Sequence, residues 1–307
     1  MYKLFKNRKQ GISVCKRLIN WNTYIYSGSF KAYLQPHFST PIFKSGSAAP
    51  FVFQPQTTME TQTVQLHNGK NMPRLALGTW KSPPNKTREA ILAAVRSGYR
   101  FIDCANDYDN EHVIGQALNE LYEEGTVRRG DLFIQVKLWN SNHRPEHVEA
   151  DLDASLKDLQ TDYVDSFVIH WAMACPSTGK NPTLRTSGIY PAHHSKNTMF
   201  PLDDQGYYCH DSQSHYVETW KKMETLVDSG KCRSIGLSNF NQRQVREILN
   251  IPDLKHKPAV LQNESHPYLQ AKDLRDFCRI NGIAFQVSHT LLRAKRAQFR
   301  KNFLYAL

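Results

Sequence analysis

Short apolar runs alternate with amphipathic segments from about residue 63 onward, and this alternation limits the folds that the chain can adopt. The apolar runs have the length and composition of strands buried on both faces of a parallel sheet. The segments between them repeat apolar residues at helical spacing. The predicted strands are 99–103, 132–137, 164–170, 234–237, 259–262 and 283–287, and the predicted helices are 89–96, 113–122, 148–159, 217–227, 244–249 and 271–279. Repeated strand–helix units predict an α/β fold with a parallel sheet, either open or closed.

Three successive predicted strands end in a reactive polar side chain. Asp103, Lys137 and His170 are 34 and 33 residues apart, which is one strand–helix unit each. In a (β/α)8 TIM barrel the carboxyl ends of all strands meet at one mouth, so these side chains would share a pocket. An open doubly wound sheet would need a glycine-rich first turn, and the sequence has no Gly-x-Gly-x-x-Gly. The closed barrel is therefore the predicted fold.

Each of these residues also has an ordinary structural explanation when it is taken alone. Asp103 could cap the helix that follows, and Lys137 could extend from its strand end to water. Tyr108 could be a packed ring, and His170 a buried histidine with satisfied hydrogen bonds. Their recurrence at consecutive strand ends favours a shared site.

A β-hairpin is predicted before the first strand–helix unit. Residues 63–66 and 74–77 have the pattern of two strands, and Asn68 and Gly69 between them are typical of a hairpin turn.

The net charge of +11 belongs to the two ends of the chain. Residues 1–58 contain eight basic residues and no acidic one, and residues 293–307 contain five basic residues and no acidic one. The middle of the chain keeps 26 basic and 28 acidic residues. Because a nucleic-acid-binding domain carries its positive charge on the folded surface, we expect no nucleic-acid partner.

The acid-free segment 1–58 has the composition of a mitochondrial transit segment, although it is rich in Lys rather than Arg. It is equally explained as an unstructured extension, or as a gene-model artefact upstream of a true start at Met59. A cytoplasmic location is expected, with the mitochondrion as the alternative. No run approaches the roughly 18 apolar residues of a spanning helix, so no membrane association is expected.

The six cysteines are scattered and include no Cys-x-x-Cys pair, which is typical of a chain from a reducing compartment. Several histidines lie near Cys175 and Cys209 in the sequence, namely His193, His194, His210 and His215. They lack the regular spacing of a structural zinc site, so no metal is expected.

Several motifs resemble those of the aldo-keto reductases, and they occur in the order of that family. The first signature is similar to residues 98–105 (GYRFIDCA) with Tyr108, Asn110, Glu111 and Gly115, and the second is similar to residues 234–240 (SIGLSNF). The family's other active-site strands are similar to residues 137–139 (KLW), 169–171 (IHW) and 258–262 (PAVLQ) with 266–269 (HPYL). The match runs from about residue 63 to residue 286.

The resemblance implies a (β/α)8 barrel that reduces aldehydes and ketones with NADPH. We expect a small-molecule carbonyl substrate and, if the chain folds, a monomer. The catalytic set that it implies is Asp103, Tyr108, Lys137 and His170. Tyr108 would protonate the developing alkoxide, and His170 would orient the carbonyl. Asp103 would hold Lys137 charged, and the ammonium would lower the pKa of the phenol.

The same resemblance implies that Ser238, Asn239 and Gln262 bind the nicotinamide carboxamide, since amide side chains offer both a donor and an acceptor. Trp80 and Trp171 would line an apolar substrate pocket, and from the sequence alone they could equally be core aromatics.

The chain departs from the family where the cofactor would bind. The family's stacking Tyr after the seventh strand is replaced by Ser288, and the glycine of the following pyrophosphate loop is absent from residues 287–292 (VSHTLL). No counterpart of the eighth strand, the last helices or the cluster that reads the 2′-phosphate is found. The expected organisation is an extension (1–58), an incomplete barrel domain (59–292) and a basic tail (293–307).

Two classes of function remain open after this comparison of motifs. The first is an NADPH-dependent carbonyl reductase with weak cofactor binding, because the catalytic set is intact. The second is a non-catalytic relative of the aldo-keto reductases, or an unstable isoform product without enzyme activity.

Overall fold

The structure is a computed structural model that describes residues 62–176 and 209–289. The predicted extension 1–58, the predicted tail 293–307, and His193 and His194 lie outside the described residues. In the described part, no three or more His, Cys, Asp or Glu side chains are grouped so that they could hold a metal ion. No helix in the same part is long and apolar enough to cross a membrane.

In the described residues, nine strands form two sheets. The hairpin sheet pairs β1 (Thr63–Gln65) with β2 (Asn71–Pro73) in antiparallel fashion. The larger sheet contains β3 (Leu77–Gly78), β4 (Phe101–Asp103), β5 (Phe133–Leu138), β6 (Ser166–Ile169), β7 (Ile235–Ser238), β8 (Val260–Glu264) and β9 (Ala284–Ser288). Its seven strands are all parallel, and each lies beside the next in chain order.

Within 62–176 and 209–289, six α-helices follow strands of the larger sheet. They are α1 (Pro84–Arg96), α2 (Glu111–Glu123), α3 (Pro145–Leu159), α4 (Tyr216–Asp228), α5 (Gln242–Leu249) and α6 (Lys272–Ile280). Two begin where proline favours a helix start, with Pro84 and Pro145 in the first turn. Another, α5, begins with a capping box formed by Asn241 and Gln244.

The parallel sheet is curled. The ring of Trp80, just after the first strand β3, lies 5.2 Å from the ring of His289, just after the last strand β9. The two edges of the sheet therefore approach each other at its carboxyl end. A curled, singly wound parallel sheet with helices after its strands is the architecture of an incomplete (β/α)8 barrel. The predicted α/β fold with a parallel sheet is confirmed at this level.

The hairpin prediction is wrong about the returning strand. Thr63 pairs with Pro73 and Gln65 with Asn71, so the strand begins directly after the turn rather than at residue 74. The turn is tight because Gly69 adopts a left-handed conformation, with φ of 79°. Leu77, predicted as the end of the hairpin, instead opens the parallel sheet as the first residue of β3.

The bounds of the longer strands and helices were predicted to within a few residues, and one helix begins earlier than predicted. The predicted helix 89–96 begins at Pro84, because its first turn is polar and mostly exposed and so carries little apolar periodicity. The predicted strand 164–170 shortens to β6, and Val164 makes only an isolated bridge to Cys232.

The hairpin closes the amino-terminal end of the barrel. Leu66 and Met72 are buried with Phe101 and Phe133, which belong to neighbouring strands of the parallel sheet. This apolar layer excludes water from one end of the barrel interior. The opposite, carboxyl end is left for polar side chains.

Helices α2 and α3 touch at a glycine. A Cβ added at Gly115 would overlap the carbonyl oxygen of Asp158 and lie 2.8 Å from the carbonyl carbon of Leu159. We expect Gly115→Ala to lower the free energy of unfolding by about 1 to 3 kcal/mol, because the two backbones must separate. Urea unfolding measures the change. Gly130→Ala, where an added Cβ meets nothing within 4 Å, is the control and should change little. Equal effects of the two substitutions would contradict the close approach.

Candidate active site

Strand alternation directs a set of polar side chains into the carboxyl end of the barrel. Side chains two residues apart on a strand share a face. Phe101 on β4 and Phe133 on β5 lie in the apolar layer under the hairpin. On β4, Asp103 is therefore nearer the carboxyl end on the same face as Phe101. On β5, Gln135 and Lys137 follow Phe133 on the same face. The sequence thus builds an apolar floor and a polar upper layer from the same strands.

Lys137 and Asp103 form a buried ion pair. Nζ of Lys137 donates to Oδ1 of Asp103 at 2.7 Å and to the carbonyl oxygen of Cys104 at 2.8 Å, and the Lys137 side chain is 1% exposed. The amides of Gln135 and Gln262 donate to the same carboxylate, at 2.8 and 3.1 Å. Three side-chain donors therefore converge on the Asp103 carboxylate and hold it opposite the ammonium.

The ammonium stays charged despite its burial. Burial alone lowers the pKa of Lys137, but the charges of Asp103 and Tyr108, and hydrogen bonds with both, outweigh it. The pKa of Lys137 therefore lies above its ordinary value.

Tyr108 lies against this ammonium. It ends a 3-10 helix, Asn106–Tyr108, that follows β4, and Nζ of Lys137 lies 4.8 Å from the centre of its ring. The phenol also takes part in a hydrogen bond with Lys137. Burial raises the pKa of Tyr108 well above its usual value, although Lys137 acts in the opposite direction. The expected lowering of the pKa by the ammonium is present, but loss of hydration outweighs it, so the net direction is upward. Tyr108 is a protonated phenol.

His170 follows β6 at the same end of the barrel. Its ring lies edge-on to the rings of Tyr108 and Trp139, with centroids 5.8 and 5.2 Å away. The side chain of Asn239 donates to its carbonyl oxygen at 2.9 Å. Its Nδ1 lies 3.1 Å from Oδ1 of Asp107, which is an ion-pair distance at an angle too oblique for a well-formed hydrogen bond. The structure thus brings all four predicted catalytic residues to one place.

The predicted carboxamide-binding residues lie on the next two strands. Ser238 ends β7, Asn239 follows it with φ of 58°, and Gln262 is within β8. The amide nitrogen of Asn239 donates to the His170 carbonyl and to the Ser238 hydroxyl. The amide nitrogen of Gln262 donates to the Asp103 carboxylate. Among the described residues, neither amide oxygen accepts a hydrogen bond from a side chain or backbone group. Two acceptors and one hydroxyl are therefore available next to Asp103 and His170.

The two predicted substrate-lining tryptophans lie at the rim of the barrel mouth. Trp80 is 45% exposed and Trp171 is 46% exposed, so neither is a core residue. Trp171 is stacked beside His170 with 20° between the rings, and Trp80 packs edge-on against His289. The alternative of core aromatics is wrong for both.

Two residues of the site were not found from the sequence. Gln135 was hidden inside an apolar strand, and only its position two residues before Lys137 signals that it faces inward. Asp107 lies directly before Tyr108 and is almost fully buried, a placement that no periodicity shows.

A curled parallel sheet with an ion pair, a phenol and an imidazole at its carboxyl end defines a barrel enzyme with acid–base chemistry. A family model described as the aldo/keto reductase family matches residues 74–299. The chain belongs to this family, whose members are NAD(P)H-dependent oxidoreductases that reduce carbonyl groups, and the resemblance seen in the motifs is confirmed.

Individual relatives agree with this assignment. The chain is 42% identical over 240 residues to aldo-keto reductase family 1 member A1 of Homo sapiens, covering 78% of this chain and 67% of that protein. It is 43% identical over 219 residues to member A1-A of Danio rerio, covering 71% and 61%. A solved structure of the aldose reductase from Schistosoma japonicum aligns with a TM-score of 0.64 at 37% identity, covering 74% of this chain and 68% of that one.

The buried ion pair makes stability depend on both partners. We expect Asp103→Asn to lower the free energy of unfolding by about 3 to 5 kcal/mol, because it leaves the Lys137 ammonium buried without an anion. Adding Lys137→Met should recover part of that loss, and urea unfolding of the four members of this double-mutant cycle measures the coupling.

Asp131→Asn is the matched control for this cycle. It removes a carboxylate paired with exposed Arg128 and should change stability little. Additive effects of Asp103→Asn and Lys137→Met would contradict the coupling.

Proposed function

We propose that this chain reduces aldehydes or ketones to alcohols with NADPH, and that Tyr108 is the general acid. The observation that carries the proposal is the protonated phenol of Tyr108 held against an ammonium, which is itself paired with Asp103. A general acid must carry its proton at working pH, and its conjugate base must be stabilised once the proton has left. Burial keeps the proton on the phenol, and the ammonium of Lys137 can stabilise the phenolate that forms when the proton leaves.

The residues on β7 and β8 fit a nicotinamide carboxamide. A carboxamide donates through its NH2 group and accepts through its oxygen. The amide oxygens of Asn239 and Gln262 can accept hydrogen bonds from the NH2 group of the carboxamide. The hydroxyl of Ser238 can donate to its oxygen. When bound, NADPH supplies the hydride. Binding here would place the carboxamide beside the ion pair and the phenol.

The proton is delivered by the chain's own residues. Tyr108 donates its phenolic proton to the oxygen of the reacting carbonyl as negative charge develops there. The resulting phenolate faces the ammonium of Lys137, and Asp103 keeps that ammonium in place. Since this arrangement exists before any charge develops, little reorganisation is needed during the reaction.

His170 and the two rim tryptophans would define where the carbonyl sits. His170 lies beside Tyr108, so both side chains can point to one oxygen atom. Trp80 and Trp171 offer exposed aromatic surface at the mouth, which suits the apolar part of an aldehyde or ketone.

Tyr108→Phe tests the role of the general acid. We expect kcat/KM for carbonyl reduction to fall about 10²- to 10⁴-fold, because the proton donor is removed. NADPH binding, followed by tryptophan fluorescence, should be unchanged. Tyr122→Phe removes another buried hydroxyl away from the site and should keep full activity.

Two outcomes would count against this assignment. Substantial reduction by Tyr108→Phe would exclude Tyr108 as the acid. A wild-type chain that binds NADPH but reduces none of a panel of aldehydes and ketones would favour the non-catalytic alternative.

We further propose that NADPH binds more weakly to this chain than to relatives with an aromatic ring at the position of Ser288. Ser288 ends β9, next to the strand that carries Gln262, and its small hydroxymethyl side chain offers no ring face. An aromatic contact contributes about 0.5 to 1.5 kcal/mol beyond its buried area.

Ser288→Tyr tests this proposal. We expect the Kd for NADPH to fall about 2- to 10-fold, because the substitution supplies a ring at the end of β9. Val287→Tyr is the matched control, since neighbouring residues of a strand face opposite sides and Val287 is exposed. Isothermal titration of the three proteins measures the difference. Equal affinity of wild type and Ser288→Tyr would contradict the proposal.

A further inference from the structure

Asp107 places a carboxylate beside the ring of His170. The two side chains are 6% and 10% exposed, and 3.1 Å separates Oδ1 of Asp107 from Nδ1 of His170. Among the described residues, Asp107 is the only carboxylate within ion-pair distance of this ring. The pair is therefore a buried contact between two titratable groups, one of which is proposed to touch the substrate.

The other groups around His170 do not compete for Nδ1. Tyr108, on the same 3-10 helix as Asp107, presents its ring edge-on at 5.8 Å. Lys137, from β5, makes its hydrogen bonds to Asp103 and Cys104 and lies against Tyr108. Trp139 and Trp171 contribute uncharged rings, and Asn239 contacts only the backbone carbonyl of His170.

We propose that Asp107 is a positioning residue that holds a proton on Nδ1 of His170. A neutral imidazole carries its single hydrogen on either Nδ1 or Nε2. Without a hydrogen, Nδ1 carries partial negative charge 3.1 Å from a carboxylate oxygen, so the two atoms repel each other even though the lone pair does not point at the oxygen. A hydrogen on Nδ1 turns the same contact into an attraction, even at an oblique angle.

This assignment determines what His170 offers to a substrate. With Nδ1 protonated, Nε2 of the neutral ring is an acceptor, and it becomes a donor only when the ring is doubly protonated. A carbonyl oxygen is an acceptor and needs a donor. Resting on the proposed function, the inference is that His170 assists carbonyl reduction only in its doubly protonated form, whereas Tyr108 can donate in either case.

Nuclear magnetic resonance of the histidine rings tests the tautomer without any substrate. The full chain is labelled with 15N-histidine, and the His170 signals are assigned by their loss in His170→Asn. Above the titration of the ring, we expect the hydrogen of His170 on Nδ1 in the wild type. Asp107→Asn should shift it toward Nε2, because an amide can donate to Nδ1 as well as accept from it.

Asp109→Asn is the matched control, since it removes a carboxylate from the same segment just after Tyr108, and Asn tolerates the left-handed φ of 54° found there. Its His170 signals should equal those of the wild type. A wild-type His170 with its hydrogen on Nε2 would overturn the proposal, and so would an unchanged tautomer in Asp107→Asn. The wild-type spectrum decides even if a variant fails to fold.

Kinetics provide the second readout. Between about pH 6 and about pH 9, kcat/KM for carbonyl reduction should fall about tenfold or more further in the wild type than in Asp107→Asn, since a charge-assisted donor is lost. Parallel profiles of the two enzymes would overturn the positioning role. A chain that reduces no carbonyl would refute the proposed function instead, while the tautomer result would still decide the role of Asp107.

Discussion

The ammonium of Lys137 is the group on which the candidate site depends. It is buried in the barrel, where an unpaired charge would cost several kcal/mol, so the surrounding residues must compensate for lost hydration. Asp103 provides the opposite charge and the Cys104 carbonyl a second acceptor. Gln135 and Gln262 in turn bind the carboxylate. Four residues, three of them on strands, thus keep one charge in place, and Tyr108 packs against a group whose position is already fixed.

A parallel barrel makes this compensation possible because neighbouring strands end at the same level. The register pairs Asp103 with Gln135, and Lys137 is two residues further along β5, which brings its long side chain to the mouth. The hairpin seals the other end with Leu66 and Met72. The interior is therefore apolar at the hairpin end and polar at the carboxyl end of the strands. The electrostatic contacts at the carboxyl end are stronger than they would be in water.

The sequence predicted those parts of the structure that repeat. Strand ends at Asp103, Lys137 and His170 could be located because each apolar run stops at a reactive residue. The first strand β3 was missed because two residues, Leu77 and Gly78, show no periodicity. The lowering effect of Lys137 on the pKa of Tyr108 was predicted, but the larger effect of burial was not, because the depth of burial depends on side chains distant in the sequence.

The balance of charge at the mouth connects the proton donor with its surroundings. Asp103 neutralises Lys137, and Asp107 adds one further negative charge against His170. In the proposed reaction, negative charge develops on the carbonyl oxygen beside these groups. The phenol of Tyr108 and the ammonium of Lys137 would then act together on the developing oxyanion. The carboxylate of Asp107 opposes an anionic group placed beside His170, so under the proposed function we expect neutral carbonyl substrates to be preferred over substrates that carry a negative charge near the imidazole.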